Sequence, residues 1–309
     1  MKVLVTCPPM LGMIGEFIPV GAQRGFELVP AKVTQTLSED ELVDLLPQYE
    51  GWIIGDDPAT RRVFEAGKAG RLKAAVKWGI GVDNVDFAAC ESLGIPIINT
   101  PNMFGNEVAD VAVGYVIGLA RQLFLIDRGI RDGEWPKPAG MSLAGKHLAL
   151  VGFGDIGRSV AKRLSAFDMP IVAYDPGVEG DAGILGVERA QWPQRLGEAD
   201  FIVFACALNA HNRHMLDAET LAKCRRGVRV VNVGRGPLID EQALVAALQS
   251  GQVESAALDV FEIEPLLAAS PLRDMPQCIL GSHNASNTRD AVRRASLQAM
   301  ERLFAFLEI

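Results

Sequence analysis

The stretch "LALVGFGDIGRSVAKRL", residues 148–164, decides the fold of the segment around it. Its first four residues are apolar and predict a buried strand. Three glycines follow, and after them the apolar residues have helical spacing. A strand that passes through a glycine-rich turn into a helix is the typical beginning of a doubly wound α/β domain.

The three glycines predict a site for a dinucleotide. Gly152 permits the turn, Gly154 lets a pyrophosphate approach the backbone, and Gly157 lets helix and strand pack closely. The free N–H groups at the start of the helix attract the phosphates. Taken alone, the glycine spacing is weak evidence, but the strand before it and the helix after it are the context that such a site requires.

An acidic residue favours NAD as the cofactor. Asp175 lies 18 residues after Gly157, at the end of the apolar run "IVAYD". A carboxylate at this place accepts hydrogen bonds from the adenosine ribose and repels the additional phosphate of NADP. The alternative is an ordinary tight turn followed by a surface acid, which would require loop, helix and acid to coincide by chance.

Apolar runs alternate with helical patterns along most of the chain. This alternation predicts two units, each with a parallel sheet covered on both faces. The last 25 residues have helical spacing and are expected to return to the first unit, so that the predicted domains are residues 1–98 with 285–309, and residues 99–284. Strands are predicted in "KVLVTC" (2–7), "WIIGD" (52–56), "LKAAVKWG" (72–79), "IPIINT" (95–100), "HLALVGFG" (147–154), "PIVAYD" (170–175), "FIVFAC" (201–206), "RVVNVG" (229–234), "SAALDVF" (255–261) and "CILGSH" (278–283). Helices are predicted in "SEDELVDLL" (38–46), "VADVAVGYVIGLA" (108–120) and "DEQALVAALQSG" (240–251).

Composition makes several kinds of protein improbable. The 309 residues carry a net charge of −8 without a basic block, so we expect no nucleic-acid partner. The five cysteines are scattered and form no CxxC, which favours free thiols in a reducing cytoplasm. His211 and His214 form an H-x-x-H without an evident third ligand, so no metal site is expected. The N-terminus lacks the pattern of a signal peptide, and the apolar run 108–120 is too short and too charged to span a bilayer.

Titratable residues follow three predicted strands of the second unit. Arg235 follows the first, Glu262 and Glu264 the second, and His283 the third. Because the carboxyl ends of the strands line the ligand crevice of a doubly wound sheet, we expect these side chains to converge beside the cofactor. Any one of them could be an ordinary loop or surface residue, and spacing alone does not choose between the two glutamates.

The three residue types suit the oxidation of a hydroxy acid or the reduction of a keto acid. A guanidinium can hold a carboxylate or polarise a carbonyl, and the glycines beside Arg235 are expected to give the substrate close access. An imidazole can take the proton of an alcohol as hydride leaves. A neighbouring carboxylate would orient that imidazole and stabilise its charged form.

Several motifs in this order resemble the D-isomer-specific 2-hydroxyacid dehydrogenase family, which contains phosphoglycerate dehydrogenase. They are "WGIGVDNVD" (78–86), "GFGDIG" (152–157), "AYDP" (173–176), "NVGRGPLIDEQAL" (232–244), "LDVFEIEP" (258–265) and His283. The resemblance covers nearly the whole chain. It implies a Rossmann NAD domain and a smaller discontinuous flavodoxin-like α/β substrate domain, with an active site in the cleft between them. It also implies a homodimer built on the NAD domain, in which helix 108–120 could take part.

The resemblance also implies roles for individual residues. Arg235 would bind the substrate, Glu264 rather than Glu262 would be the partner of the histidine, and His283 would be the acid/base. The backbone at Ile80 and Gly81 would meet the substrate carboxylate, and Lys77 stands where phosphoglycerate dehydrogenases often have a phosphate-binding arginine. Cofactor contacts are implied for Asp155, Ile156, Cys206, Val233 and Asp259, in addition to the glycines and Asp175.

The chain also departs from the family pattern. Gly281-Ser282 stands where the family usually has Thr-Pro, and "ACALN" (205–209) replaces the usual His-x-Pro-Leu-Thr. Only 26 residues follow His283, so we expect no regulatory domain there. The predicted function is that of an NAD-dependent D-2-hydroxyacid dehydrogenase resembling phosphoglycerate dehydrogenase. The alternatives are a glyoxylate or hydroxypyruvate reductase and, in another class, an NAD-responsive binding protein resembling the corepressors built on this fold.

Overall fold

The computed structural model describes residues 1–177 and 186–308, and it divides into two compact units. The first unit comprises Met1–Met103 and Asn287–Ile309, and the second comprises Phe104–Ser286. The boundaries predicted from the sequence lie a few residues before these.

The first unit is built on a parallel sheet of five strands within its described residues. The strands are β1 (Lys2–Val5), β2 (Glu27–Pro30), β3 (Gly51–Ile54), β4 (Ala74–Lys77) and β5 (Ile97–Asn99). Their order β2-β1-β3-β4-β5 is the flavodoxin-like order, as expected. β2 was not predicted, because only Leu28 of its four residues is buried and the apolar pattern is correspondingly weak.

Helices of the first unit cover this sheet. The predicted helix at Ser38 is present, and a capping box between Ser38 and Glu41 satisfies the free N–H groups at its start. The C-terminal helix belongs to this unit and buries one face, including Ala295, Ala299 and Leu303. The helices are α1 (Pro8–Leu11), α2 (Ile14–Gln23), α3 (Glu39–Leu45), α4 (Arg61–Ala69) and α5 (Phe87–Leu93), together with the last helix of the chain, Arg289–Leu307.

A buried carboxylate ties together the loops at the carboxyl ends of β1 and β3. The side chain of Asp57 is inaccessible to solvent and accepts hydrogen bonds from the Thr6 hydroxyl, from Leu37 N at 2.9 Å and from Gly55 N at 3.2 Å. Burial raises the pKa of Asp57, and the hydrogen bonds to these three donors oppose that rise.

We expect Asp57→Ala to lower the free energy of unfolding by about 3 kcal/mol, because it leaves buried donors without an acceptor. Urea unfolding followed by circular dichroism measures the change. Asp40→Ala is the matched control, since the Asp40 side chain is 81% exposed and only pairs with Arg62 at the surface. Equal stability of the two variants would contradict the role given to Asp57.

The second unit contains a parallel sheet of seven strands among its described residues. The strands are β6 (Leu148–Val151), β7 (Ile171–Tyr174), β8 (Val187–Arg189), β9 (Phe201–Phe204), β10 (Val228–Asn232), β11 (Val253–Leu258) and β12 (Cys278–Leu280). Their order β12-β11-β10-β9-β6-β7-β8 is the Rossmann order with one further strand, which confirms the predicted fold class. The chain reverses its direction of winding between β6 and β9, and ligands bind at such a point in open α/β sheets.

The helices of the second unit include the long apolar segment that the sequence placed at 108–120. It extends over Gly105–Arg121 and buries Val108, Ala112 and Val116 within the unit. Among the described residues, no single helix is long and apolar enough to cross a membrane; this helix and the next one meet the length and composition together but bend by 68°. The helices are α6 (Gly105–Arg121), α7 (Leu123–Arg131), α8 (Asp155–Ser165), α9 (Ala218–Lys223) and α10 (Glu241–Ser250); the C-terminal helix Arg289–Leu307 is α11.

Candidate active site

The glycine-rich turn between β6 and α8 has the geometry that a dinucleotide site needs. Gly152 has φ +94°, and a Cβ at this position would stand 2.6 Å from Cys206 N. A Cβ at Gly157 would overlap the carbonyl oxygen of Gly152, so this glycine allows α8 to pack on the turn. At Gly154 the position of a Cβ has no neighbouring protein atom within 4 Å, which suits the approach of a phosphate group.

The first turn of α8 follows directly. Its N-cap is Gly154, which has no side chain to bond the first N–H groups, so these remain available to a phosphate. The Asp155 carboxylate occupies the space that a Cβ at Gly105 would take. Gly105 therefore allows α6 to approach α8 closely, a requirement that sequence reasoning missed. Ile156 is partly exposed in the same turn.

Asp175 lies beside the glycine turn. Its carboxylate accepts hydrogen bonds from Phe153 N at 2.6 Å and from Gly177 N at 2.8 Å. Phe153 stands between the first two glycines, so the turn and the acid hold each other in place. The residues present fit NAD, with the glycines and α8 for its pyrophosphate and Asp175 for its ribose.

We expect Asp175→Asn to lower the preference for NAD over NADP, as the ratio of kcat/KM values, by about tenfold, because it removes the charge that repels the additional phosphate. Asparagine keeps an oxygen that can accept the Phe153 N–H. Asp168→Asn is the control, since it removes an exposed carboxylate of the same unit. An unchanged ratio in Asp175→Asn would show that the charge of Asp175 does not select NAD over NADP.

Cys206 and Val233 follow neighbouring strands of the sheet. The backbone of Cys206 packs on Gly152, and burial raises the pKa of its thiol to about 12. The thiol is therefore protonated near neutral pH. Val233 is buried and donates its N–H to Phe204 O at 3.1 Å. Both residues stand just after the carboxyl ends of their strands, the edge at which ligands bind in open α/β sheets.

The loop after β10 holds Arg235 at the same edge of the sheet. The buried Asn232 side chain fastens this loop: it donates to Arg235 O at 2.9 Å and accepts from Gly234 N at 3.0 Å. The Arg235 guanidinium is partly exposed and donates to Gly234 O at 3.0 Å. Sequence reasoning missed Asn232, although a buried asparagine at the end of an apolar strand is itself a signal of a specific hydrogen-bonded turn.

The glycines on either side of Arg235 have a packing role that the sequence did not reveal. A Cβ at Gly234 would stand 2.8 Å from Cys206 O, and one at Gly236 would overlap the backbone of Phe261. The neighbouring loops approach here so closely that a side chain has no room. The close packing of the loops is therefore a sufficient reason for both glycines, and close access of the substrate stays a prediction.

Glu264 and His283 form a hydrogen-bonded pair. Glu264 Oε2 lies 2.7 Å from His283 Nδ1, and Glu264 Oε1 accepts from Phe261 N at 2.9 Å. Their side chains are 20% and 22% exposed, respectively, so both are shielded but reachable. The backbone of Phe261 also packs on the Arg235 loop at Gly236, which connects all three loops.

Glu262, the other glutamate, has a separate set of contacts. Its Oε1 accepts from Glu241 N at 2.9 Å, at the start of α10, and lies 3.0 Å from His214 Nε2. Burial, together with the nearby charge of Glu262, raises the pKa of Glu241. His214 of the H-x-x-H pair thus lies beside Glu262. Within residues 1–177 and 186–308 no group of three His, Cys, Asp or Glu side chains is placed to hold a metal ion.

Asp259 organises the segment that carries His283. Its carbonyl oxygen accepts from His283 N at 2.7 Å, and its carboxylate accepts from Asn284 N at 3.2 Å and from Ala285 N at 2.9 Å. His283 has the left-handed backbone conformation, with φ +55°. The buried Asp259 therefore fixes an unusual backbone at the histidine.

The first unit carries the remaining predicted residues. The buried Lys77 ammonium donates to Gly55 O at 2.7 Å, Asp56 Oδ1 at 3.0 Å and Trp78 O at 3.1 Å. These contacts use the three hydrogens of the ammonium. Ile80 and Gly81 lie in a partly exposed bend after β4, where Ile80 O accepts from the side chain of Asn99 at 3.0 Å.

Comparisons with known proteins agree with this geometry. Residues 113–285 match the model of the family described as D-isomer specific 2-hydroxyacid dehydrogenase, NAD binding domain. A hydroxypyruvate reductase from Thermotoga maritima is 36% identical over 282 residues, which are 89% of this chain and 90% of that protein. A D-3-phosphoglycerate dehydrogenase from Rattus norvegicus is 38% identical over 264 residues, and the match covers 84% of this chain and 49% of that protein.

A solved structure is similar over the full length. The crystal structure of TT0316 protein from Thermus thermophilus superposes with a TM-score of 0.88 at 31% identity and covers 100% of this chain and 97% of that one. Together with the Rossmann strand order and the glycine turn, these matches identify the second unit as an NAD-binding domain. The protein belongs to the D-isomer specific 2-hydroxyacid dehydrogenase family, and its cofactor is NAD.

Proposed function

We propose that this protein transfers a hydride between a D-2-hydroxy acid and NAD, with His283 as acid/base, Glu264 as its partner and Arg235 as the residue that binds the substrate. The observation that carries the proposal is the 2.7 Å contact between His283 Nδ1 and Glu264 Oε2, in the same unit as the glycine turn. When bound, NAD supplies the acceptor for the hydride.

The Glu264 carboxylate determines which ring nitrogen of His283 is free. An ionised carboxylate accepts hydrogen bonds only, so Nδ1 carries the proton that bridges the 2.7 Å contact. Nε2 then has the lone pair that can take the proton of a substrate hydroxyl. As the ring becomes positively charged, Glu264 stabilises it, and in the opposite direction the charged ring returns the proton to a carbonyl oxygen.

Arg235 complements this pair. Its permanent charge and forked geometry suit a carboxylate and can also polarise a carbonyl oxygen beside it. The backbone of its loop is held by Asn232 and packed against Phe261, so the guanidinium projects from a rigid base. A rigid base lowers the entropic cost of orienting the substrate.

We further propose that the substrate is a small, unphosphorylated acid, as in a glyoxylate or hydroxypyruvate reductase. Lys77 is the cation that the resemblance suggests for a phosphate, yet its ammonium is buried and paired with Asp56. An ammonium whose three hydrogens already have protein acceptors offers no donor to a phosphate without breaking them. This observation favours a hydroxypyruvate reductase-like substrate range over that of phosphoglycerate dehydrogenase.

A panel of 2-hydroxy and 2-oxo acids, each with and without a phosphate group, tests both proposals through NADH absorbance. We expect turnover of several unphosphorylated acids and a lower kcat/KM for their phosphorylated counterparts. A preference for the phosphorylated acids would refute the substrate class but not the reaction. Tight NAD binding without turnover of any acid would instead favour the corepressor-like alternative.

We also propose a homodimer in a reducing compartment such as the cytoplasm. The apolar residues of α6 are mostly buried within its own unit, whereas α7 and the loop after it expose Leu123, Phe124, Ile130 and Trp135. An exposed apolar group of this kind supports a protein contact. The five cysteines are free, which supports the compartment.

Light scattering tests the dimer. It should give twice the chain mass for the wild type and the chain mass for Phe124→Glu; a monomeric wild type would contradict the dimer.

A further inference from the structure

A tyrosine that has no part in the reaction proposed above lies beside the segment that carries His283. Tyr115 is on α6, and its hydroxyl is 3.5 Å from Asp259 Oδ1. A Cβ at Gly281 would stand 2.6 Å from this hydroxyl and would overlap Asp259 Oδ1. The tyrosine hydroxyl and the carboxylate together therefore fill the space that a side chain at position 281 would need.

The lack of space, and not a left-handed backbone, calls for a glycine at position 281. The φ of Gly281 lies outside the positive range that favours glycine. The space around it forbids the additional carbon. Gly281 and Tyr115 are therefore matched to each other through the volume that they share beside Asp259.

Asp259 transmits this packing to the histidine. Its carbonyl oxygen accepts the N–H of His283, and its carboxylate accepts those of Asn284 and Ala285. A shift of the carboxylate therefore displaces the backbone directly after His283, and with it the conformation of the residue that carries the ring. Burial and the nearby Asp259 carboxylate raise the pKa of Tyr115, so its hydroxyl remains protonated and can donate to that carboxylate.

We propose that Tyr115 is a positioning residue for proton transfer by His283, acting through Asp259, and that Gly281 is required because the Tyr115 hydroxyl stands beside it. This inference rests on the proposed function. In this arrangement the Tyr115 hydroxyl on α6 limits the position of the Asp259 carboxylate. Asp259 in turn holds the left-handed backbone of His283 through its hydrogen bonds to that segment.

A double-mutant cycle tests the inference. We expect Tyr115→Phe to lower kcat about tenfold while the KM for NAD changes by less than about twofold, because a small displacement of the acid/base affects the chemical step most. Gly281→Ala should lower kcat by about a hundredfold. The double variant should be more active than Gly281→Ala alone, because removal of the hydroxyl gives the Asp259 carboxylate room to yield to the new carbon.

Tyr174→Phe is the matched control. Tyr174 lies in the same unit, and its hydroxyl donates to Gln194 O at 2.7 Å, so the variant also removes a buried tyrosine hydrogen bond. We expect it to lower Tm as Tyr115→Phe does but to leave kcat unchanged. NMR of the protein without cofactor gives a second measurement: the ring signals of His283 should move in Tyr115→Phe and stay in place in Tyr174→Phe.

The possible results separate the two proposals. Wild-type kcat and unmoved His283 signals in Tyr115→Phe would overturn the positioning role, and so would strictly additive losses in the cycle. If the wild type turned over no acid of the panel, the proposed function would fail, while the NMR comparison would still decide whether Tyr115 positions His283. If Gly281→Ala did not fold, Tyr115→Phe and its control would remain decisive.

Discussion

Replacement of His283 by alanine is expected to lower kcat about a thousandfold while the dissociation constant for NAD changes by less than about threefold. In the proposed reaction the imidazole accepts the hydroxyl proton, because Glu264 lies 2.7 Å from its other nitrogen. The glycine turn and Asp175 lie elsewhere in the unit and do not depend on the ring. Steady-state kinetics gives kcat, and quenching of protein fluorescence gives the NAD affinity.

The backbone at His283 calls for a second variant. Its φ of +55° is strained for alanine but is readily adopted by asparagine. His283→Asn should therefore fold like the wild type and lose as much activity as His283→Ala. His211→Ala is the control, because it removes an exposed histidine of the same unit. Near-normal turnover in His283→Asn would show that the proton is transferred by another group.

Replacement of Arg235 by alanine is expected to lower kcat/KM about a thousandfold, through both a higher KM for the acid and a lower kcat. The guanidinium would bind the substrate carboxylate and polarise the reacting carbonyl, so its loss affects ground state and transition state together. The KM for NAD should remain close to that of the wild type. Kinetics with the best acid of the panel measures all three quantities.

Arg235→Lys distinguishes charge from geometry. Lysine keeps the positive charge but cannot make two parallel hydrogen bonds, so we expect it to recover about tenfold of the lost kcat/KM. Arg213→Ala, which removes an exposed arginine of the same unit, should leave the kinetics unchanged. Unaltered kinetics in Arg235→Ala would remove this residue from the substrate site.

The fold could be read from the sequence wherever burial imposes a pattern. The central or well-covered strands of the second unit were predicted by their continuous apolar runs. They are β6, β7, β9, β10, β11 and β12. β8 was missed because its residues are exposed or half-exposed, so no hydrophobic pattern marks it. α7 was missed because its apolar residues Leu123 and Phe124 are exposed rather than packed against the sheet.

The candidate site was readable for a similar reason. A glycine that must adopt positive φ, or must let two backbones touch, cannot be replaced by another residue. The glycine pattern at 152–157 therefore predicts the turn directly from the sequence. The spacing of Glu262 and Glu264 carried no such constraint, and only the fold shows that one contacts His214 and the other His283. Likewise, only the fold shows that the charge of Lys77 is already paired with Asp56.

The sequence alone determined the two α/β units, the dinucleotide turn and the residue types available for the chemistry, because these follow from local periodicity and backbone sterics. The tertiary structure decided which side chains meet: Tyr115 with Asp259, Glu264 with His283, and the glycines around Arg235 with neighbouring backbone. Such contacts join residues far apart in the chain. Their energies depend on distances of a few tenths of an ångström, which no pattern along a single chain encodes.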